Sequence, residues 1–330
     1  MKFILLADTH IGLNKDNSIF HNVTINLFNE IKKVSVEQNI QDIAILGDVF
    51  HSRKILSSRS KDTAYEIFRK ILIDNSVILV SGNHDIYYKE KYNPNWLEIF
   101  YDCGNVSVVD CWPKIYDNCI FVPWGYPIYE IENKEDLYLF GHFEINSFLM
   151  NDSYECKNSK LNISDFKDFK HVYSGHFHTP SSNGNITYIG SPFQQTFHDV
   201  NSARGYYIFD DGDLEFIEFT SAPKFIKLKA SETINEEDVR RNFVKIIFKD
   251  ESISEIEKTV ALIESYKPVS LNTATIIDNQ DVIATEEIET QSNEEIFMNY
   301  VSSIKRPDHI KVEVLKTLFD MFKKDIENDV

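Results

Sequence analysis

The chain has 330 residues, with 34 Lys and Arg against 52 Asp and Glu, and a formal net charge of −18. That balance excludes a basic protein that coats nucleic acid by bulk charge, although it leaves room for one that grips phosphate through metal ions or a local basic patch. An apolar fraction of 42% is enough to bury a core, so the chain is not disordered, and its length fits one large domain or two to three smaller ones.

In chain order, short apolar runs give way abruptly to polar residues that can bind metal. Phe3–Ala7 leads into Asp8-Thr9-His10, Ile43–Leu46 into Gly47-Asp48, and Val77–Val80 into Ser81-Gly82-Asn83-His84-Asp85. Leu137–Phe140 leads into Gly141-His142, and His171–Tyr173 into Ser174-Gly175-His176-Phe177-His178. Each run is short and rich in Ile, Val, Leu, Phe or Tyr, which predicts a buried strand. The first three alternate with helical patterns: Ile25, Leu27, Phe28, Ile31 and Val34 mark a helix over Asn22–Gln38, and Ala64, Ile67, Phe68 and Ile71 another over Asp62–Asp74. Strand–helix alternation predicts an α/β sheet with ligands beyond the carboxyl ends of the strands, where all five polar clusters fall.

Beyond Pro180 the pattern predicts strands at Ile186–Ile189 and Gly205–Phe209, then a turn at Asp210–Asp213 into Leu214–Phe219. Residues 224–277 read as a small α/β module, with strands Lys224–Leu228 and Val244–Phe248 and helices at Glu236–Asn242 and Ser254–Glu264. Residues 278–295 hold seven acidic side chains and no Lys or Arg, the composition of a solvated linker. Residues 296–330 carry two amphipathic stripes, Ile296, Phe297, Tyr300, Val301 and Ile304, then Leu315, Leu318, Phe319, Phe322 and Ile326. The expected organisation is therefore 1–223, 224–277, 278–295 and 296–330. Cys103, Cys111, Cys119 and Cys156 form no CxxC pair, as in a reduced, cytosolic setting. The apolar run Phe3–Ala7 is too short for a signal peptide, and no stretch approaches the roughly 18 apolar residues of a membrane span.

Taken singly, each cluster has a plain structural reading: Gly-Asp is a turn, and Gly-His-Phe-His is a strand with two histidines on one face. Five clusters at five strand ends are another matter, because histidine and carboxylate are too costly to place at a core edge without partners. Asp8, His10, Asp48, Asn83, His142, His176 and His178 supply carboxylate, imidazole and amide oxygen, the donors for Mn2+, Fe2+ or Zn2+, without a thiolate. Seven donors exceed what one ion needs and suit two ions sharing a carboxylate, a pair that activates water against a phosphoester. No nucleophile elbow or P-loop competes with this reading.

The ordered set Asp8-x-His10, Gly47-Asp48, Gly82-Asn83-His84-Asp85, Gly141-His142 and Gly175-His176-x-His178 resembles the calcineurin-like metallophosphoesterase superfamily. Serine/threonine phosphatases carry Asp where this chain has His51, and a histidine there resembles the Mre11/SbcD nucleases. Cluster order, Gly190-Ser191-Pro192 and chain length are similar to the phage, gp47-like form of that nuclease. The resemblance implies a four-layer α/β/β/α sandwich with a small α/β capping domain and C-terminal helices. It implies two Mn2+ ions, with Mg2+ as a substitute: one held by Asp8, His10, Asp48 and His178, the other by Asp48, Asn83, His142 and His176. His84 would touch the scissile phosphate, Asp85 would orient the His84 imidazole, and His51 would help position the DNA end or the metals. The implied activity is double-strand exonuclease and single-strand endonuclease cleavage in DNA recombination and repair, alongside a Rad50/SbcC-like ATPase that binds residues 296–330. A homodimer within a heterotetramer, no membrane contact, and a cytoplasmic location, the host's if phage-encoded, complete the expectation.

Residues 49–61 contain Arg53, Lys54, Arg59 and Lys61 and no acid, a basic loop expected to meet DNA phosphates. Trp96, Leu97 and Phe100 suit either a dimer patch or the core. Two alternatives compete with the nuclease: a metallophosphoesterase acting on small phosphodiesters or phosphoproteins, and a silent scaffold subunit.

Overall fold

A computed structural model describes residues 1–88, 91–151 and 154–275. The acidic linker and the terminal amphipathic stripes expected from the sequence lie outside the described residues, and residues 1–275 form one compact unit. No helix among the described residues is long and apolar enough to cross a membrane.

Two six-stranded sheets lie face to face. The first is built of β1 (Lys2–Leu6), β2 (Asp42–Leu46), β3 (Ser76–Val80) and β4 (Val106–Val109), all parallel, followed outward from β1 by antiparallel β13 (Gly205–Asp210) and β14 (Asp213–Glu218). The second runs β11 (Ser181–Asn183), β12 (Ile186–Tyr188), β10 (His171–Gly175), β7 (Tyr138–His142), β6 (Cys119–Val122) and β5 (Lys114–Tyr116), with β12, β10, β7 and β6 mutually parallel. A small hairpin, β8 (Leu149–Asn151) with β9 (Tyr154–Glu155), stands apart.

Both faces of the central strands are buried, which is why their sequences read as continuous apolar runs rather than alternating ones. In β1, Phe3 and Leu5 point into the layer between the sheets, where they meet Phe121, Phe140, Tyr173 and Phe209. Ile4 and Leu6 point the other way, onto the helices. The helix Ser18–Glu37 supplies Phe20, Val23, Leu27, Phe28 and Ile31 to that side, all buried at helical spacing; each is worth roughly 1.5–3 kcal/mol of apolar burial. Asn17 caps its start by accepting the Ile19 N–H. The second predicted helix forms over Ser58–Glu66 and then widens into a π-turn, Ile67–Ile71. The outer face of the second sheet is covered by short 3-10 turns, Ile128–Glu130 and Ile163–Phe166, around Phe143, Phe166 and Phe177.

The strands β4, β5 and β6 have no counterpart among the runs read from the sequence. Residues 224–275 form a separate three-stranded parallel sheet: β15 (Phe225–Lys229), β16 (Phe243–Phe248) and β17 (Ser270–Thr275). The helix Ile253–Ser265 links β16 to β17, but the helix expected at 236–242 is a single turn, Glu236–Val239, ended by Arg240 and by Arg241 at φ 61°. This sheet has its own small core of Leu228, Val239, Val244, Ile246, Phe248 and Ile263. Phe225 and Phe243 instead join the main core, where Phe243 stacks on Phe20 at 5.4 Å between ring centres.

Candidate metal centre

The carboxyl ends of β1, β2, β3, β7 and β10 meet along one rim, and each hands over to a tight turn that bears the polar residues. Asp8, His10, Asp48 and His176 all have positive φ, at 54°, 43°, 50° and 94°. Non-glycine residues rarely adopt that region, and such strain clusters at functional sites. Two glycines leave room for ligands, and Gly47, at φ 83°, also takes a left-handed turn. A Cβ on Gly47 would overlap the His142 ring, and one on Gly82 would overlap the Asp48 carboxylate.

All seven donors expected from the sequence come together. Asp8, His10 and His178 place ligand atoms within 4.8 Å of one another, and so do Asp48, His142 and His176. His10 Nε2 lies 3.1 Å from His178 Nε2. Asn83 Oδ1 lies 3.0 Å from both His142 Nε2 and His176 Nδ1. Adjacent ligands around an ion, at about 2.1 Å from it, stand roughly 3 Å apart, so these are separations that a coordination shell requires. Asp48 Oδ2 reaches both groups, 3.7 Å from His10 Nε2 and 3.4 Å from His142 Nε2. His10 Nδ1 is buried without a hydrogen-bond partner among the described residues. His142 Nδ1 donates to the Leu46 carbonyl at 2.8 Å, so Nε2 is the nitrogen turned to the site, free to ligate once its proton leaves. The donor set therefore fits divalent ions.

Burial decides the electrostatics. It pushes the Asp8 carboxyl up to about 7 against the pull of His142, with Asp48 adding to the push. Burial alone would lower the His142 imidazole, but the Asp48 carboxylate, helped by Asp8 and the Leu46 carbonyl, raises it to about 9. Asp48 itself is held well below the usual carboxylate range, because His142, His84 and His10 outweigh its burial. His178 is pushed down to about 4 by burial, opposed by Asp199. Burial and the facing Asp48 carboxylate thus favour the protonated forms of Asp8 and His142.

His84 and His51 stand beside these groups. The His84 ring packs edge-on to His10 at 5.1 Å and stacks on His51 at 5.9 Å. The structure corrects the expectation that Asp85 orients the His84 imidazole. His84 Nδ1 donates to the backbone carbonyl of His51 at 2.5 Å. The Asp85 carboxylate faces the chain instead, accepting the N–H groups of Gly82, Phe50 and Val49 at 2.9, 2.9 and 3.3 Å. It clamps the two turns that carry Asp48 and Asn83.

The basic stretch divides: Arg53 and Lys54 lie in the loop, while Arg59 and Lys61 sit on the first turns of the helix Ser58–Glu66, capped by Ser57. Leu97 and Phe100 are buried in the main core rather than in a surface patch, and Trp96 Nε1 donates to the Ser52 carbonyl. Three neighbours of the ligands are not among the residues that the sequence singles out. The Trp124 ring lies 5.2 Å from that of His176, Glu144 approaches His176 Nε2 at 3.9 Å, and Gln195 Nε2 donates to the Asp8 carbonyl at 2.8 Å. Of these only Glu144 has a local signal, two residues after His142 in Gly-His-Phe-Glu.

Two facing sheets with a rim of imidazole and carboxylate define a metallophosphoesterase. Residues 1–180 match the calcineurin-like phosphoesterase family, and the chain belongs to it. It is 30% identical over 324 residues to exonuclease subunit 1 of Enterobacteria phage T4, spanning 92% of this chain and 93% of that one. It is 22% identical to the SbcD component of the SbcCD nuclease of Staphylococcus epidermidis, over 92% of this chain and 93% of the relative. It is also 22% identical to the DNA double-strand break repair protein Mre11 of Nanoarchaeum equitans, over 90% of each. The chain is thus a metallophosphoesterase nuclease, a metal-dependent hydrolase of phosphodiester bonds, and the family implies a dinuclear metal site, which these residue groups fit.

Proposed function

We propose that this chain is a Mn2+-dependent DNA nuclease that hydrolyses phosphodiester bonds with two metal ions and processes DNA ends together with a Rad50/SbcC-like ATPase. One observation carries the reading: Asp48 Oδ2 stands 3.7 Å from His10 and 3.4 Å from His142, a ligand atom in each of two donor groups, with the His84 ring edge-on to His10. Ions bound there would lower the pKa of water and neutralise phosphoryl oxygen. Asp8, His10, Asp48 and His178 hold one ion, and Asp48, Asn83, His142 and His176 the other. With Nδ1 committed to the His51 carbonyl, His84 turns Nε2 to the scissile phosphate or the leaving oxygen. His51, stacked on it, positions the DNA end, and Arg53, Lys54, Arg59 and Lys61 take phosphates along the approach.

DNA is the substrate favoured over small phosphodiesters or phosphoproteins by His51 and the basic stretch beside it. The names of the relatives support a subunit role, and the phage relative supports action in the host-cell cytoplasm. The partner ATPase binds residues 296–330, and two copies of this chain join two of the ATPase.

The test compares linear duplex DNA, single-stranded circles, bis-p-nitrophenyl phosphate and phosphopeptides, in Mn2+ or Mg2+, with and without the cognate ATPase. The proposal expects DNA cleavage in Mn2+ and loss of ATPase binding on truncation before Asn293. Hydrolysis of phosphopeptides in preference to DNA would refute it.

A further inference from the structure

A continuous chain of hydrogen bonds runs behind one half of the metal centre, through residues that no role yet described involves. It starts at the His178 carbonyl, which accepts the Ser191 N–H at 3.0 Å. Ser191 Oγ accepts from Arg204 Nη1 at 3.1 Å, and Arg204 Nη2 donates to Asp199 Oδ1 at 2.6 Å. Asp199 Oδ2 accepts the N–H groups of Gln195 and Thr196 at 2.8 and 2.9 Å. Gln195 Nε2 ends the chain on the Asp8 carbonyl at 2.8 Å. Ser191, Gln195, Asp199 and Arg204 are 1%, 5%, 4% and 3% exposed, so this is an interior ion pair in a polar network.

Its two ends are the backbones of Asp8 and His178, which with His10 form a single donor group. Ser191, Gln195, Asp199 and Arg204 make no hydrogen bond to His142, His176 or Asn83 among the described residues; the one direct link between the halves is the His176 N–H, which the Asp8 carboxylate accepts at 3.1 Å. Next to Gln195, Gln194 Oε1 accepts the N–H of Phe225, the first residue of β15, at 2.7 Å. The same segment therefore fastens residues 225–275 and one half-site.

Buried ion pairs are weak sources of stability compared with apolar packing, but breaking one leaves a stranded charge, and their best-attested use is to fix a geometry. We infer that Gln195, Asp199 and Arg204 are positioning residues for the Asp8–His10–His178 half-site, selective for that half. The inference rests on the reading of those three side chains as ligands of one ion.

The full chain, stripped with a chelator, is titrated calorimetrically with Mn2+, and the loaded protein is followed by electron paramagnetic resonance for the coupled signal of a Mn2+ pair. Gln195→Met removes one hydrogen bond and no charge. Arg204→Lys keeps the charge but cannot hold Ser191 and Asp199 together. Outer-shell partners of metal ligands typically change affinity about 10–100-fold. Each variant is expected to weaken one ion on that scale, leave the other within about twofold, and convert the coupled signal to that of an isolated ion. Unchanged titrations overturn the inference, and so does equal weakening of both ions together with a lowered Tm, which marks a general structural role. Wild-type DNA cleavage is measured separately. Its absence with two ions bound refutes the nuclease reading, while the comparison of the two half-sites still decides this one.

Discussion

Replacing Asp85 by Ala separates the two roles that can be assigned to this carboxylate. It is fully buried and accepts three backbone N–H groups, two at 2.9 Å and one at 3.3 Å, from the turns after β2 and β3. A hydrogen bond to a charged acceptor contributes roughly 1.5–3 kcal/mol. At the lower figure for each, three bonds total about 4–5 kcal/mol; burial, with Asp48, pushes this carboxyl up to about 7 and offsets part of that, so the comparison is made at about pH 8 or above, where Asp85 is charged. Asp85→Ala should therefore destabilise the metal-free protein by about 3 kcal/mol, because three buried donors lose their acceptor. His84→Ala, which empties a half-buried position, should cost about 1 kcal/mol or less. Urea denaturation in excess chelator measures both, and DNA cleavage in Mn2+ is assayed beside it. Asp85→Ala should also loosen Asp48 and Asn83, so metal affinity falls as well as activity. If Asp85→Ala is as stable as wild type and binds metal normally, yet loses cleavage to the same extent as His84→Ala, then the carboxylate serves the imidazole and the clamp argument is wrong.

Three further outcomes follow from the same geometry. Asp48→Ala should reduce Mn2+ stoichiometry, since its carboxylate reaches both donor groups, whereas His84→Asn should abolish cleavage and leave stoichiometry unchanged; elemental analysis of the purified proteins tells them apart. Metal affinity should climb with pH, because a proton that must leave opposes binding below its pKa: Asp8 holds its proton to about 7 and His142 to about 9. Titrations between pH 6 and 9.5 should show the rise flattening above about 9, and a pH-independent affinity would contradict the proton inventory. Gly82→Ala should displace the Asp48 carboxylate and weaken both ions, to be seen as loss of tight Mn2+ binding with little change in far-UV circular dichroism.

Much of this protein is written locally. The runs Phe3–Ala7, Ile43–Leu46, Val77–Val80, Leu137–Phe140 and His171–Tyr173 mark strands because β-rich apolar stretches of that length can be buried on both faces, and the structure forms a strand at each, with ends shifted by one or two residues. The donor types at their ends likewise name the chemistry, since imidazole and carboxylate at a core edge need a cation. The strands β4, β5 and β6 go unread because no histidine cluster marks their ends. The helix expected at 236–242 overruns its single turn because pattern alone does not reveal that Arg241 takes a left-handed conformation.

The residue types of the metal centre, their order, and the strand ends that present them are thus all set by the linear chain. Which atoms meet is settled in the folded state. Folding turns Asp85 from the His84 ring to the backbone, gives His84 the His51 carbonyl, and places Gln195 against Asp8 across 187 positions of chain. Hydrogen-bond partners are selected by proximity and direction in the packed core. A buried carboxylate takes the donors that packing brings to it, and those lie on turns that no local pattern connects.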